Sequence, residues 1–265
     1  MKLTAKSIHD KKRKEKIVAL TAYDFPFARI LDDAGVDIIL VGDSVGMVLL
    51  GYETTTQVTL DEMLHHTKAV SRAVKRSLVV ADMPFGTYEQ DAREALRNAK
   101  RLVEEGGADA VKLEGGNERI AKTVKALVRS GIPVIGHVGM LPQSVASIGG
   151  YKVQGRTPKE AKGILDEAKR LEVAGVFALV LECVPVKLAG EITKKVSCPT
   201  IGIGAGPKTD GQILVLYDLL GFEGPVRPRF VRRYAEFEKE AKEAFRRYRR
   251  DVLTGRFPSL KESFE

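Results

Sequence analysis

A chain of 265 residues, 44% hydrophobic and 29% charged, has the make-up of a soluble globular protein long enough for one large domain. No apolar run reaches the length a bilayer requires, and the basic opening MKLTAKSIHDKKRKEK has no apolar stretch behind it, which argues against a secretory leader. Two cysteines, Cys183 and Cys198, are too few for a disulfide framework and predict reduced thiols in a cytoplasmic protein.

The net charge of +8 lies in the two ends. Residues 1–16 hold seven basic and two acidic groups, and residues 227–250 hold ten basic and four acidic. Such ends suit a nucleic-acid footprint or a surface that attracts an anionic substrate. However, Tyr234, Phe237, Ala241, Phe245 and Tyr248 recur at helical intervals, which reads as a solvated basic helix over about 231–250. No nucleic-acid motif accompanies the charge, so no nucleic-acid partner is expected.

In chain order, IVALTAYD (17–24) reads as a first strand. Four later segments then align on a glycine: AGVDIILVGDS (34–44), GGADAVKLEGG (106–116), SGIPVIGHVGM (130–140) and AGVFALVLECV (174–184). Each opens with residues suited to the left-handed turn that ends a helix, continues as an apolar run suited to a strand buried on both faces, and finishes on a polar residue. SLVVADMP (77–84) and PTIGIGAG (199–206) fit the same scheme. QILVLYD (212–218) is a last strand with little room before it for a helix.

Helices are predicted near 60–75, 89–105, 117–130 and 158–173. Thr59 to Glu62 and Thr157 to Glu160 read as capping boxes, and Thr87 to Gln90 as a weaker start. About eight strand–helix alternations in one chain predict an α/β parallel barrel, a (βα)8 TIM barrel forming a single domain over 1–265. An open doubly wound sheet is the alternative, but GIGAG lacks the GxGxxG spacing that would support it. Its glycines suit close packing or a phosphate seat.

In such barrels the active site lies at the C-terminal strand ends. Asp43, Asp82, Lys112, Glu114, His137 and Glu182 all fall there. Four carboxylates at one mouth repel one another unless a cation is present, and a hard divalent ion such as Mg²⁺ needs only one or two of them. The chain has no HExxH and no CxxC, which argues against zinc, and His65 and His66 read as surface residues of a helix. Lys112 and Glu114, two apart in VKLEGG, share one face of a strand. Lys112 can hold a substrate carboxylate while Glu114 supports a metal; alternatively, the two pair with each other. Cys183 has no basic partner beside it in the motif and reads as a small buried residue.

The stretches VGDSVGMVLLGYETTTQVT, LVVADMPFGTY, VKLEGG, VIGHVGMLPQSV, GGYKVQGR, LVLECVPV and IGIGAGPKTDGQILV resemble the ketopantoate hydroxymethyltransferase family, in order, over about residues 16–235. Leu141 departs from the Thr usual in bacterial members. The resemblance implies a (βα)8 barrel, Mg²⁺ dependence, and transfer of a one-carbon unit from 5,10-methylenetetrahydrofolate to 3-methyl-2-oxobutanoate, giving 2-dehydropantoate in coenzyme A biosynthesis. It implies Asp43 and Ser44 for metal and substrate, Asp82 for both, Lys112 for substrate, Glu114 for the metal site and Glu182 as proton acceptor. His137 matches an active-site histidine near the substrate. The implied reaction takes a proton from C3 of the keto acid, and the enolate so formed, stabilised by Mg²⁺, attacks the one-carbon unit. The resemblance further implies a homo-oligomeric ring, decamers among them. A Mg²⁺-dependent lyase or mutase acting on another 2-oxo acid on the same barrel is the nearest rival.

Overall fold

The computed structural model describes residues 1–144, 152–223 and 228–264. The start of GGYKVQGR and the end of VIGHVGMLPQSV lie outside them. The chain divides into two compact units, Met1–Val215 and Leu216–Glu265.

Among the described residues of the first unit, eight parallel strands close into a barrel in sequence order. They are β1 (Ile17–Thr21), β2 (Ile38–Val41), β3 (Leu78–Asp82), β4 (Ala110–Glu114), β5 (Val134–Gly139), β6 (Ala178–Glu182), β7 (Thr200–Ile203) and β8 (Gly211–Leu214). β2, β3 and β4 are buried throughout, as their unbroken apolar runs require. Gly35, Gly107, Gly131 and Gly175 precede β2, β4, β5 and β6 with φ between +77° and +103°, so the left-handed turn predicted before those strands is present.

Helices Leu60–Ala73, Glu118–Arg129 and Pro158–Ala174 stand where expected. The capping boxes Thr59/Glu62 and Thr157/Glu160 both form. The start at Thr87 does not form. Its hydroxyl donates to the Pro84 carbonyl, and helix Ala92–Lys100 begins instead beyond Asp91, whose carboxylate accepts from Arg93 N–H. Helices Phe25–Asp33 and Val186–Lys195 complete the wall outside the predicted set. The last predicted strand ends at Leu214, and Leu216–Leu220 is helical.

Between β7 and β8 the described residues 204–210 carry turns and bends in place of a helix. Close packing by the GIGAG glycines makes this tight return possible. A Cβ on Gly202 would lie 2.8 Å from Thr209 Oγ1, and one on Gly206 would lie 2.6 Å from a Val186 methyl.

The basic segment 1–16 has a definite place. Lys2 pairs with Asp109 at 3.0 Å, Lys11 with Asp37 at 3.0 Å and Lys12 with Asp210 at 2.8 Å. Asp109, Asp37 and Asp210 each immediately precede a strand, respectively β4, β2 and β8. These charges therefore lie at the N-terminal rim of the barrel, the face associated with stability, away from the polar strand ends.

In the second unit, the predicted basic helix runs over Phe237–Leu253 with no residue buried. It begins later than 231 because Tyr234 N–H is committed to the Leu219 carbonyl, and it ends before Gly255, whose φ is +65°. Phe222 packs between Tyr217 and Phe237, with ring centroids 4.9 and 6.0 Å away. Among the described residues of the whole chain, no helix is long and apolar enough to cross a membrane.

Candidate active site

Strand register alone places most of the site. Asp82 lies opposite Lys112, and Glu114 opposite His137. His137 lies opposite Val180, two residues before Glu182. Register partners in adjacent strands share a face, as do residues two apart, so Asp82, Lys112, Glu114, His137 and Glu182 all project to one side of the sheet. That side is the barrel mouth.

Asp43 reaches the same place by a different route. β2 ends at Val41, and the chain turns through Gly42 into the short helix Val45–Val48. In that turn Asp43 N–H donates to Asp82 Oδ2 at 3.1 Å. A Cβ on Gly42 would sit 2.8 Å from Ser44 Oγ and 3.4 Å from Asp82 Oδ2, so only glycine leaves both groups their positions. Ser44 Oγ is 2.8 Å from the Tyr23 hydroxyl, and the Tyr23 carbonyl is 2.7 Å from His66 Nδ1. His65 is exposed as expected; His66 is half-buried and braces Tyr23.

The charges form a connected set. Lys112 Nζ lies 2.8 Å from Asp82 Oδ1 and 3.9 Å from Glu114 Oε1. Lys112 therefore pairs chiefly with its neighbour across the strands, and the Lys112–Glu114 alternative is the weaker contact. His137 stands between two carboxylates, with Nδ1 3.5 Å from Glu114 Oε1 and Nε2 3.3 Å from Glu182 Oε2. Asp82 Oδ1, Glu114 Oε1 and His137 Nε2 are buried and held by charge, without well-aimed hydrogen bonds among the described residues.

Burial is the largest influence on every titrating group here, and the neighbours decide the outcome. Burial, together with the Asp82 and Glu114 charges, pushes the Asp43 carboxyl well above the usual carboxylate range. Burial also raises Asp82, although Lys112 opposes it. Glu114 goes the other way: His137, Lys112 and the Gln143 N–H overcome burial and hold it low. Burial depresses Lys112, but Asp82, Glu114 and Asp43 more than restore it, so it stays above the ordinary lysine value. For His137, burial and Lys112 pull downward, while the close Glu114 and Glu182 carboxylates prevail and lift it from 6.5 to about 9.

A folded-state value raised above the unfolded one means that His137 contributes stability in full below about pH 6.5 and loses it as pH rises through about 9. In metal-free buffer, the melting temperature is expected to fall across that window. His137→Gln should flatten the fall, as thermal unfolding at a series of pH values would show. An equal slope in the variant would assign the pH dependence to other groups.

The four carboxylates Asp43, Asp82, Glu114 and Glu182 meet only Lys112 and His137 as basic partners among the described residues of the mouth, so a divalent cation would balance its charge. Among the described residues no three His, Cys, Asp or Glu side chains converge to hold a metal ion by themselves. The donor set therefore suits an ion that takes one or two protein carboxylates and fills its other positions with water or substrate oxygens, the habit of Mg²⁺. Asp43, Asp82 and Glu114 are the candidates, one or two of which would hold it directly and the rest through water.

Cys183 is half-buried, with its thiol pushed up to about 12 by burial and the Glu182 charge, which makes it a poor nucleophile. Two further residues belong to the site beyond those read from the sequence. Tyr88 and Gln143 are buried, and the Tyr88 hydroxyl donates to Gln143 Oε1 at 2.6 Å. Gln143 Nε2 in turn donates to Asp43 Oδ2 at 2.8 Å. Tyr88 falls inside the false capping box at 87–90. Gln143 sits in VIGHVGMLPQSV with nothing in its own residue type to single it out.

Residues 2–260 match the family described as Ketopantoate hydroxymethyltransferase. The chain is 58% identical over 254 residues to 3-methyl-2-oxobutanoate hydroxymethyltransferase of Thermoanaerobacter sp. (strain X514), covering 96% of this chain and 92% of the relative. It is 55% identical over 262 residues to the protein of that name in Acetivibrio thermocellus, covering 99% and 92%. Among solved structures, it is similar to a phosphonopyruvate hydrolase at TM-score 0.64 and 15% identity, covering 98% of this chain and 93% of that one. A 2,3-dimethylmalate lyase of the PEP mutase/isocitrate lyase superfamily aligns at TM-score 0.60 and 18% identity, covering 100% and 93%. At those identities the structural likeness speaks for the shared barrel alone.

Proposed function

Because the chain belongs to the ketopantoate hydroxymethyltransferase family, we propose that it transfers a one-carbon unit from 5,10-methylenetetrahydrofolate to 3-methyl-2-oxobutanoate, with Glu182 as the base. The coarser activity, 3-methyl-2-oxobutanoate hydroxymethyl transfer in pantothenate synthesis, is that of the family. The observation that carries the finer reading is the division of the mouth by His137. On one side stand Lys112, Asp82, Asp43 and Glu114; on the other stands Glu182, 3.3 Å from His137 Nε2.

In this reading the keto acid lies with its carboxylate towards Lys112. An ammonium has three donor hydrogens; Asp82 takes one and His137 Nδ1, 3.4 Å away, lies along a second, which leaves the third for a ligand. Asp43, Asp82 and Glu114, one or two directly and the rest through water, would hold a Mg²⁺ ion, which would supply Lewis acidity for the negative charge on the keto oxygen. Ser44, steadied by Tyr23, offers a hydroxyl beside Asp43. Glu182 receives the proton from C3 and hands it on, and His137 Nε2, 3.3 Å away, keeps that carboxylate in place for the transfer. C3 then bonds to the methylene carbon of the folate as that carbon's two bonds to nitrogen break; water supplies the hydroxyl oxygen, and its spare proton and the one taken from C3 go to the two nitrogens of the departing tetrahydrofolate. A cytoplasmic location and assembly into a homo-oligomeric ring belong to the same proposal. The Lys2, Lys11 and Lys12 ammonium groups are engaged by acids of the barrel rim, which supports a structural use of the basic N-terminal segment over a nucleic-acid one.

The test is proton NMR of 3-methyl-2-oxobutanoate with the protein in D₂O, with and without Mg²⁺, followed by tetrahydrofolate and formaldehyde. Mg²⁺-dependent loss of the C3 proton signal is expected, then product once folate is present. Exchange without product would keep the proton abstraction and overturn the folate donor. Absence of exchange under every condition would overturn the reading and return the lyase or mutase rival to the front.

A further inference from the structure

Gln143 stands in the turn Pro142–Ser144 beyond β5 and is buried among the carboxylates. Its backbone N–H donates to Glu114 Oε2 at 3.1 Å. Its Nε2 donates to Asp43 Oδ2 at 2.8 Å and to the Met83 carbonyl at 3.1 Å. On the other side, Tyr88 donates to Gln143 Oε1 at 2.6 Å while its oxygen accepts the Glu114 N–H at 3.2 Å.

These contacts fix which way the amide faces. The Met83 carbonyl only accepts, so the amide nitrogen must be turned towards it. The Tyr88 oxygen already accepts a backbone N–H, and its single proton goes to the nearer acceptor, Oε1. Gln143 thus takes one oxygen of Asp43 through its side chain and one oxygen of Glu114 through its backbone. Glu114 Oε1 is left buried without a well-aimed hydrogen bond among the described residues, facing His137 Nδ1 at 3.5 Å and Lys112 Nζ at 3.9 Å.

We propose that Gln143 is a positioning residue of the cation site: its side chain holds one oxygen of Asp43 so that the other faces the ion, its backbone N–H anchors Glu114, and Tyr88 holds Gln143. The proposal rests on the reading of Asp43, Asp82 and Glu114 as the Mg²⁺ site. Carboxylates that bind metals are themselves oriented by hydrogen bonds, and removing such a partner lowers metal affinity by about 10–100-fold.

The test is calorimetric titration of Mg²⁺ into the full-length protein, its Gln143→Met, Tyr88→Phe and Asp82→Asn variants, with a metal-free melting curve for each. Gln143→Met keeps the length and the backbone N–H to Glu114, so it releases Asp43 alone. It is expected to weaken Mg²⁺ binding by about 10–100-fold, with Tyr88→Phe shifting affinity the same way and by less. A residue that merely packs the turn would lower the melting temperature and leave Mg²⁺ affinity at the wild-type level. Wild-type affinity in Gln143→Met and Tyr88→Phe, with loss in Asp82→Asn, would overturn the positioning role and leave the site reading standing. If wild-type protein takes up no Mg²⁺, both fall. If Gln143→Met does not fold, Tyr88→Phe decides: weakened binding supports the role and unchanged binding overturns it.

Discussion

Glu182→Gln is expected to lower kcat by about 10²–10⁴-fold, the range in which a positioned general base contributes, while binding of 3-methyl-2-oxobutanoate stays close to wild type. The amide has the shape of the carboxylate and still offers an oxygen to His137 Nε2, which stands 3.3 Å from Glu182 Oε2. What it cannot do is accept the C3 proton. Deuterium exchange at C3 should therefore stop, while calorimetry with the keto acid changes little. A second readout is independent of turnover. Glu182 is one of the two carboxylates that lift His137 to about 9, so the histidine should titrate at a lower pH in the variant, followed by NMR of its ring protons. Loss of keto-acid binding in parallel with loss of exchange would recast Glu182 as a ligand.

Asp82→Ala is expected to remove Mg²⁺ binding and keto-acid binding together, and to destabilise the fold as well. The stability loss comes from Lys112, whose nearest carboxylate, at 2.8 Å, disappears while Glu114 remains at 3.9 Å. Breaking a buried pair from one side costs about 3–5 kcal/mol, which lowers the melting temperature of a protein this size by roughly 6–20 °C. Adding Lys112→Met removes the stranded charge, so the double variant should regain most of the lost stability and none of the binding. Tight keto-acid binding by Asp82→Ala would count against a cation bridging Asp82 and substrate.

The barrel was legible because β2 to β7 are buried on both faces and so read as apolar runs, most of them closed by a polar residue. Phe25–Asp33 was hidden because it opens on Phe25 and Pro26, which resemble a turn; Pro is admissible there because Asp24 accepts from Phe27 N–H and caps the first turn. Val186–Lys195 follows Pro185, has no side-chain cap and carries Gly190 in its interior, so its start signal is missing. The charged site residues stood out because charge in an apolar run demands a reason. Tyr88 and Gln143 did not, since a neutral polar residue in a loop needs none. Their part depends on contacts 26 and 55 positions apart in sequence, which no local pattern encodes.

Closure of the barrel joins β1 to β8, and Lys12 reaches Asp210 across 198 positions of chain. During synthesis, β1 has no partner on that edge until residues 211–214 have left the ribosome. At about 5–20 residues per second the wait is on the order of 10–40 s. Through that interval the nascent chain presents one open strand edge with ladder groups free to pair elsewhere, a hazard in any crowded compartment. The long-range β1–β8 contact also makes barrel closure a late event in folding, because its loop-closure entropy is met only after most of the chain is available. The Lys12–Asp210 pair acts at the end of that sequence as the latch between the earliest and latest strands to be made.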